Sequence, residues 1–110
     1  MKPQRVKIIT TIPASHADAL REAVGAAGAG QLGEYSFCSF TTIGTGRFKP
    51  SDQAKPHIGT PGQFETAEEE RIEIECRYAI AKTVIAALRA AHPYEEPMID
   101  IIALIDEADL

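Results

Sequence analysis

Residues 71–77 read RIEIECR. Apolar Ile72, Ile74 and Cys76 alternate with charged Arg71, Glu73, Glu75 and Arg77. A period of two puts the first set on one face of a strand and the second on the other, so one face is buried and one is wet or meets a partner. Immediately downstream, residues 79–91 (AIAKTVIAALRAA) carry Ile80, Val84, Leu88 and Ala91 at helical spacing. Residues 98–105 (MIDIIALI) then return to a β-branched strand pattern. The result is a β-α-β unit.

The first part of the chain repeats that unit in register. Residues 6–12 (VKIITTI) read as a strand ended by Pro13, and Ser15 with Asp18 three residues on resembles a capping box. Ala17, Leu20, Ala23, Val24 and Ala27 form one apolar helical face, with Gly28 and Gly30 as the stop. Residues 34–43 (EYSFCSFTTI) read as the second strand. Val6 to Tyr35 and Ile72 to Ile101 both span 29 positions, with strand, helix and strand at matching offsets. Two such units predict an α+β, ferredoxin-like βαββαβ fold, a four-stranded antiparallel sheet with both helices on one face. Between them, residues 44–70 lose periodicity and read as a long loop, a place where function often resides. The two helices cannot hide Ile9, Phe37 or Phe40, and Ile102 together. The open sheet face or an edge is therefore expected to meet another subunit.

Bulk properties narrow the function. A chain of 110 residues, 45% hydrophobic and 25% charged, reads as one small globular domain over 1–110. Its net charge of -5 argues against a nucleic-acid backbone as partner. No apolar run is long enough to span a membrane, and VKIITTI is too short and polar for a signal peptide, so the chain reads as a mature cytoplasmic protein. Cys38 and Cys76 form no CxxC pattern and read as reduced, half-buried residues.

Two stretches could carry chemistry. HPYEEP (92–97) begins where Pro93 must stop the helix. It is either a rigid joint with His92 as a cap, or a site in which His92 acts as metal ligand or proton carrier with Glu95 or Glu96. Neighbouring glutamates point apart in extended chain, so a metal would need a further ligand, with Cys38, His57 and His16 as the candidates. GTGRF (44–48) is either a sharp turn or an anion-binding loop. In the second case Gly44 and Gly46 permit close approach and Arg47 holds a carboxylate or phosphate. A GxG without a third glycine and a following helix is not a dinucleotide fingerprint, and no triad, HExxH or Walker pattern occurs. His16 reads as a surface residue, His57 lacks an identifiable partner, and the acidic run 68–70 reads as a solvated lead-in to the strand.

The segments PASHADALREAVGAAGAGQLGEYSFCSFTTIGTGRFKP, PHIGTPG, EEERIE and AAHPYEEPMIDI, in this order over roughly residues 5–105, resemble the central insert domain of the Nif-three-like proteins. The matching positions are Tyr35, Cys38, Gly44, Gly46, Arg47, Phe48, Gly59, Gly62, Glu70 and His92 to Pro97. The resemblance implies a fold similar to the CutA and PII proteins, hence a homo-oligomer, a trimer first and a dimer next. Nothing here matches the flanking-domain residues that bind a metal pair in full-length members, so that site is not implied. The favoured reading is a non-enzymatic, small-ligand-binding or regulatory module with Gly44, Gly46, Arg47, Phe48, Tyr94 and Glu95 at its site. The alternative is a divalent-metal protein using His92, Cys38 and Glu96. A nucleotide hydrolase related to the GTP cyclohydrolase homologues is the third reading.

Overall fold

A computed structural model describes residues 2–110. The element order is β1 (Arg5–Pro13), α1 (Ala14–Ala26), β2 (Phe40–Phe48), β3 (Glu65–Arg77), α2 (Ala81–Ala91) and β4 (Ile99–Leu104). The strands form one sheet in the order β2-β3-β1-β4, with every neighbouring pair antiparallel. Strand β3 is thus inserted between β1 and β2, the split βαβ arrangement that the paired repeats predict.

The alternation in RIEIECR is realised directly. Ile72, Ile74 and Cys76 join Val6, Ile8 and Ile12 of β1 in the core, under Leu20 and Val24 of α1 and Val84 and Leu88 of α2. On the other face Glu73 pairs with Lys7 at 3.3 Å and with Arg71 at 3.5 Å, and Arg5 pairs with Glu75. Helix α1 is pinned to the sheet by Arg21, which donates to Thr41 and pairs with Glu70. Gly28 and Gly30 end the α1 segment with φ of 107° and 82°, a conformation that only glycine adopts without strain.

Three local expectations are corrected. Helix α1 starts at Ala14 after Pro13 and has no side-chain cap. Ser15 lies inside it, with its hydroxyl beside His16 Nδ1 at 3.0 Å. The second strand begins at Phe40, not at 34. Phe37 adopts φ 57°, which extended chain forbids, and its ring rests on Gly25 of α1. The residues before β2 instead bond back to the α1–β2 connection, Cys38 N–H donating to the Gly30 carbonyl at 2.9 Å. Finally, the loop predicted over 44–70 spans only 49–64. Strands β2 and β3 continue as a hairpin arm past the end of β1, paired as far as Phe48 and Glu65. The arm makes the molecule long: its radius of gyration is 15.3 Å, against about 13 Å for a compact chain of this length.

Both sheet edges, β2 and β4, are uncovered. Ile9 is buried within the chain, but Phe40, Ile43, Ile101 and Ile102 stay exposed. No helix among the described residues is long and apolar enough to cross a membrane.

Leu88 is sealed between α2 and the sheet at 1% exposure. Leu88→Ala should lower the unfolding free energy by about 2–5 kcal/mol through lost burial and a residual cavity. Urea denaturation measures this, and a loss under about 1 kcal/mol would contradict the core assignment.

Candidate functional site

Antiparallel pairing decides where the motifs meet. The C-terminal ends of β1 and β2 and the N-terminal ends of β3 and β4 all lie at one end of the sheet. GTGRF at the end of β2 and HPYEEP at the entry to β4 are therefore neighbours in space despite their separation in sequence. Between the hairpin arm, loop 49–64 and the HPYEEP joint lies a cleft of about 620 Å³. This is within the range of small-molecule pockets. Gly44, Gly46, Arg47 and Phe48 line it from one side, and Tyr94, Glu95 and Glu96 from the other. All six residues expected at a ligand site thus converge. GTGRF is a strand rather than a turn or an anion-binding loop.

Two bonds hold the cleft in shape. Tyr94 Oη donates to Glu69 Oε2 at 2.7 Å, and Glu95 Oε2 accepts the Lys55 backbone N–H at 2.8 Å. The first ties the joint to the arm, and the second ties it to loop 49–64. Glu69 is buried, and its carboxyl lies against Gly46, where an added Cβ would come within 1.9 Å of Oε1. The expectation of a solvated acidic run at 68–70 is corrected at this residue. The strand alternation gave no warning of this: it puts Glu69 on the charged face with Arg71 and Glu73, and the burial comes from Tyr94 and the bare backbone at Gly46.

His92 lies behind the cleft, not in it. It is 7% exposed, and both ring nitrogens are engaged: Nε2 bonds the Thr11 carbonyl at 2.8 Å and Nδ1 accepts the Tyr94 backbone N–H at 3.1 Å. That pattern requires the neutral ring protonated at Nε2. Burial pushes the imidazole below the ordinary histidine value of 6.5, outweighing the Thr11 carbonyl and Glu69, which favour the charge. His16 and His57 face the same region and oppose protonation further. Their rings stand 5.2 Å apart, and His57 is 6.2 Å from the Tyr94 ring. His92 and His57 thus both stand beside Tyr94, and His16 beside His57, an arrangement that sequence spacing did not reveal.

The expected metal set of His92, Cys38 and Glu96 is not brought together. With both nitrogens of His92 used, no lone pair is free. Cys38 lies partly buried in a separate small cleft with Gly30, Phe40 and Glu73. Glu96 is on the large cleft, and no group of three or more His, Cys, Asp or Glu among the described residues could hold a metal ion.

A depressed histidine value gives a definite sign. Stability from the neutral ring is full above the unfolded value near 6.5, falls as the pH drops through it, and stops falling below the folded value. Thermal unfolding between pH 7 and 5 should therefore show a decline that His92→Gln partly removes. The same variant should cost about 1–3 kcal/mol at pH 7.5. Identical slopes in both proteins would contradict the neutral, doubly bonded ring.

No family model matches the chain. It is 43% identical over 103 residues to a protein of Halalkalibacterium halodurans named GTP cyclohydrolase 1 type 2 homolog, covering 94% of this chain and 28% of that protein. A solved Bacillus cereus protein related to NIF3 superposes with a TM-score of 0.82 at 38% identity, over 96% of this chain and 27% of that one. CutA1 from Shewanella sp. SIB1 superposes with a TM-score of 0.72 at 18% identity, over 96% of this chain and 86% of its own, a likeness of fold alone. The chain spans little more than a quarter of the length of the relatives it matches. It is thus homologous to a domain-sized part of the Nif3-like GTP cyclohydrolase 1 type 2 homologues, with a CutA-like, ferredoxin-like fold.

Proposed function

We propose that this chain is a non-catalytic, oligomeric module that binds a small ligand in the cleft between GTGRF and HPYEEP. The observation that carries the reading is the convergence of these two segments, the most distinctive in the sequence, on one concave site. Glu69, Tyr94 and Glu95 are held there by hydrogen bonds, giving the site placed polar groups. The name of the relatives is the only support for turnover of a nucleotide. Burial and the bond to Glu69 push the Tyr94 phenol well above its ordinary range, so it stays a protonated donor that holds the cleft wall.

The oligomer follows from the edges. Strands β2 and β4 are both uncovered and both carry exposed apolar residues, Ile43 on one and Ile101 and Ile102 on the other. Joining unlike edges head to tail closes a ring where the rotation between copies divides a full turn. Three copies fit the resemblance to the CutA and PII proteins, with a dimer next.

Thermal melting with GTP, ATP, inorganic phosphate and common carboxylic acids is the test. At saturation one of them should raise the melting temperature by several degrees and be recovered unchanged. No shift with any, or conversion of the compound that binds, overturns the reading. Light scattering should give a multiple of 11.9 kDa, and a monomer contradicts the edge argument.

A further inference from the structure

The chain has eight glycines, and the fold accounts for seven. Gly28, Gly30, Gly33, Gly59 and Gly62 have positive φ, while Gly25 and Gly46 lie under the Phe37 ring and the Glu69 carboxyl. Gly44 has neither reason. Its φ is not positive, and a Cβ built there meets nothing within 4 Å. Glycine inside a strand loses backbone entropy and side-chain packing, and where nothing in the fold requires it, it marks close approach by a ligand or another backbone. Gly44 lies on the wall of the large cleft and pairs across the strands with Glu69.

Glu69 supplies the second, independent observation. It is 8% exposed, yet among the described residues its only hydrogen-bond partner is Tyr94, on Oε2. Among the described residues no lysine, arginine or histidine nitrogen lies within salt-bridge distance of it. No fully buried side-chain oxygen lacks a partner, so Oε1, which bonds nothing, opens to the cleft. A mostly buried carboxylate with one oxygen opening only to the cleft is placed to accept a donor from whatever occupies it. Three basic side chains, Arg47, Lys49 and Arg71, and three carboxylates, Glu69, Glu95 and Glu96, line the same cleft, so its charges balance and a neutral donor suits it. Phe48 and Met98 provide apolar walls.

Resting on the reading that the cleft binds a small ligand, we propose that Gly44 is the floor of a slot for a flat, neutral heteroaromatic ring. The ring lies against the Gly44 backbone and donates N–H groups to Glu69 Oε1. The bare strand backbone gives the ring a flat surface. A side chain at position 44 would occupy the space the ring needs without disturbing the fold.

The probe is 2-aminoquinazolin-4-one, a neutral fused ring with adjacent amide and amino N–H donors, titrated by calorimetry. The wild-type protein should bind it, and quinazolin-4-one, which lacks the amino donor, should bind about tenfold or more weakly. Gly44→Ala should weaken the probe by about tenfold or more without lowering the melting temperature or changing the mass. Equal binding by wild type and Gly44→Ala overturns the slot. No binding of the probe, when another compound raises the melting temperature, overturns the ligand class but leaves the cleft reading standing. A change of mass in Gly44→Ala overturns the proposal in favour of a contact between copies.

Discussion

The hydrogen bond from Tyr94 to Glu69 is the constraint around which this end of the molecule is organised. It joins a joint that enters the outermost strand on one side to an arm that leaves the sheet on the other. A buried carboxyl is costly unless its oxygens find donors. Here one donor is provided, and the bare backbone at Gly46 leaves the carboxyl its space. The hydrogen bonds of neutral His92 hold Tyr94 in place from behind. Gly46, Glu69, Tyr94 and His92 thus form a single stack running from the strand backbone to the core. None of them has an evident reason for its identity without the others.

Much of the fold was legible because it is periodic. RIEIECR declared its faces, both helices showed their apolar stripes, and the repeated spacing gave the topology. The errors fell where glycine was read as a breaker. Gly44 and Gly46 suggested a loop, yet both sit in β2, Gly46 because Glu69 needs its space. Conversely, EYSFCSF looked like a strand, but a positive φ at Phe37, set by packing on Gly25, holds it out of the sheet. Such long-range fits leave no local signature.

The site was partly legible in the same sense. The residues of GTGRF and HPYEEP could be named, but not their relation, since proximity comes from the antiparallel order of the strands. His92 was recognised as distinctive while its chemistry was not. A histidine with both nitrogens bonded to backbone groups is a structural element, and only its surroundings distinguish it from a ligand to a metal. His57, which spacing gave no reason to connect with either, stands between His16 and Tyr94.

A double-mutant cycle between Tyr94→Phe and Glu69→Gln, read by chemical denaturation, tests the central claim that the two segments form one coupled unit. The account predicts that the two losses are not additive, with a coupling energy of about 0.5–3 kcal/mol. Additive losses, within about 0.3 kcal/mol, would show that the joint and the arm are independent and would contradict the account.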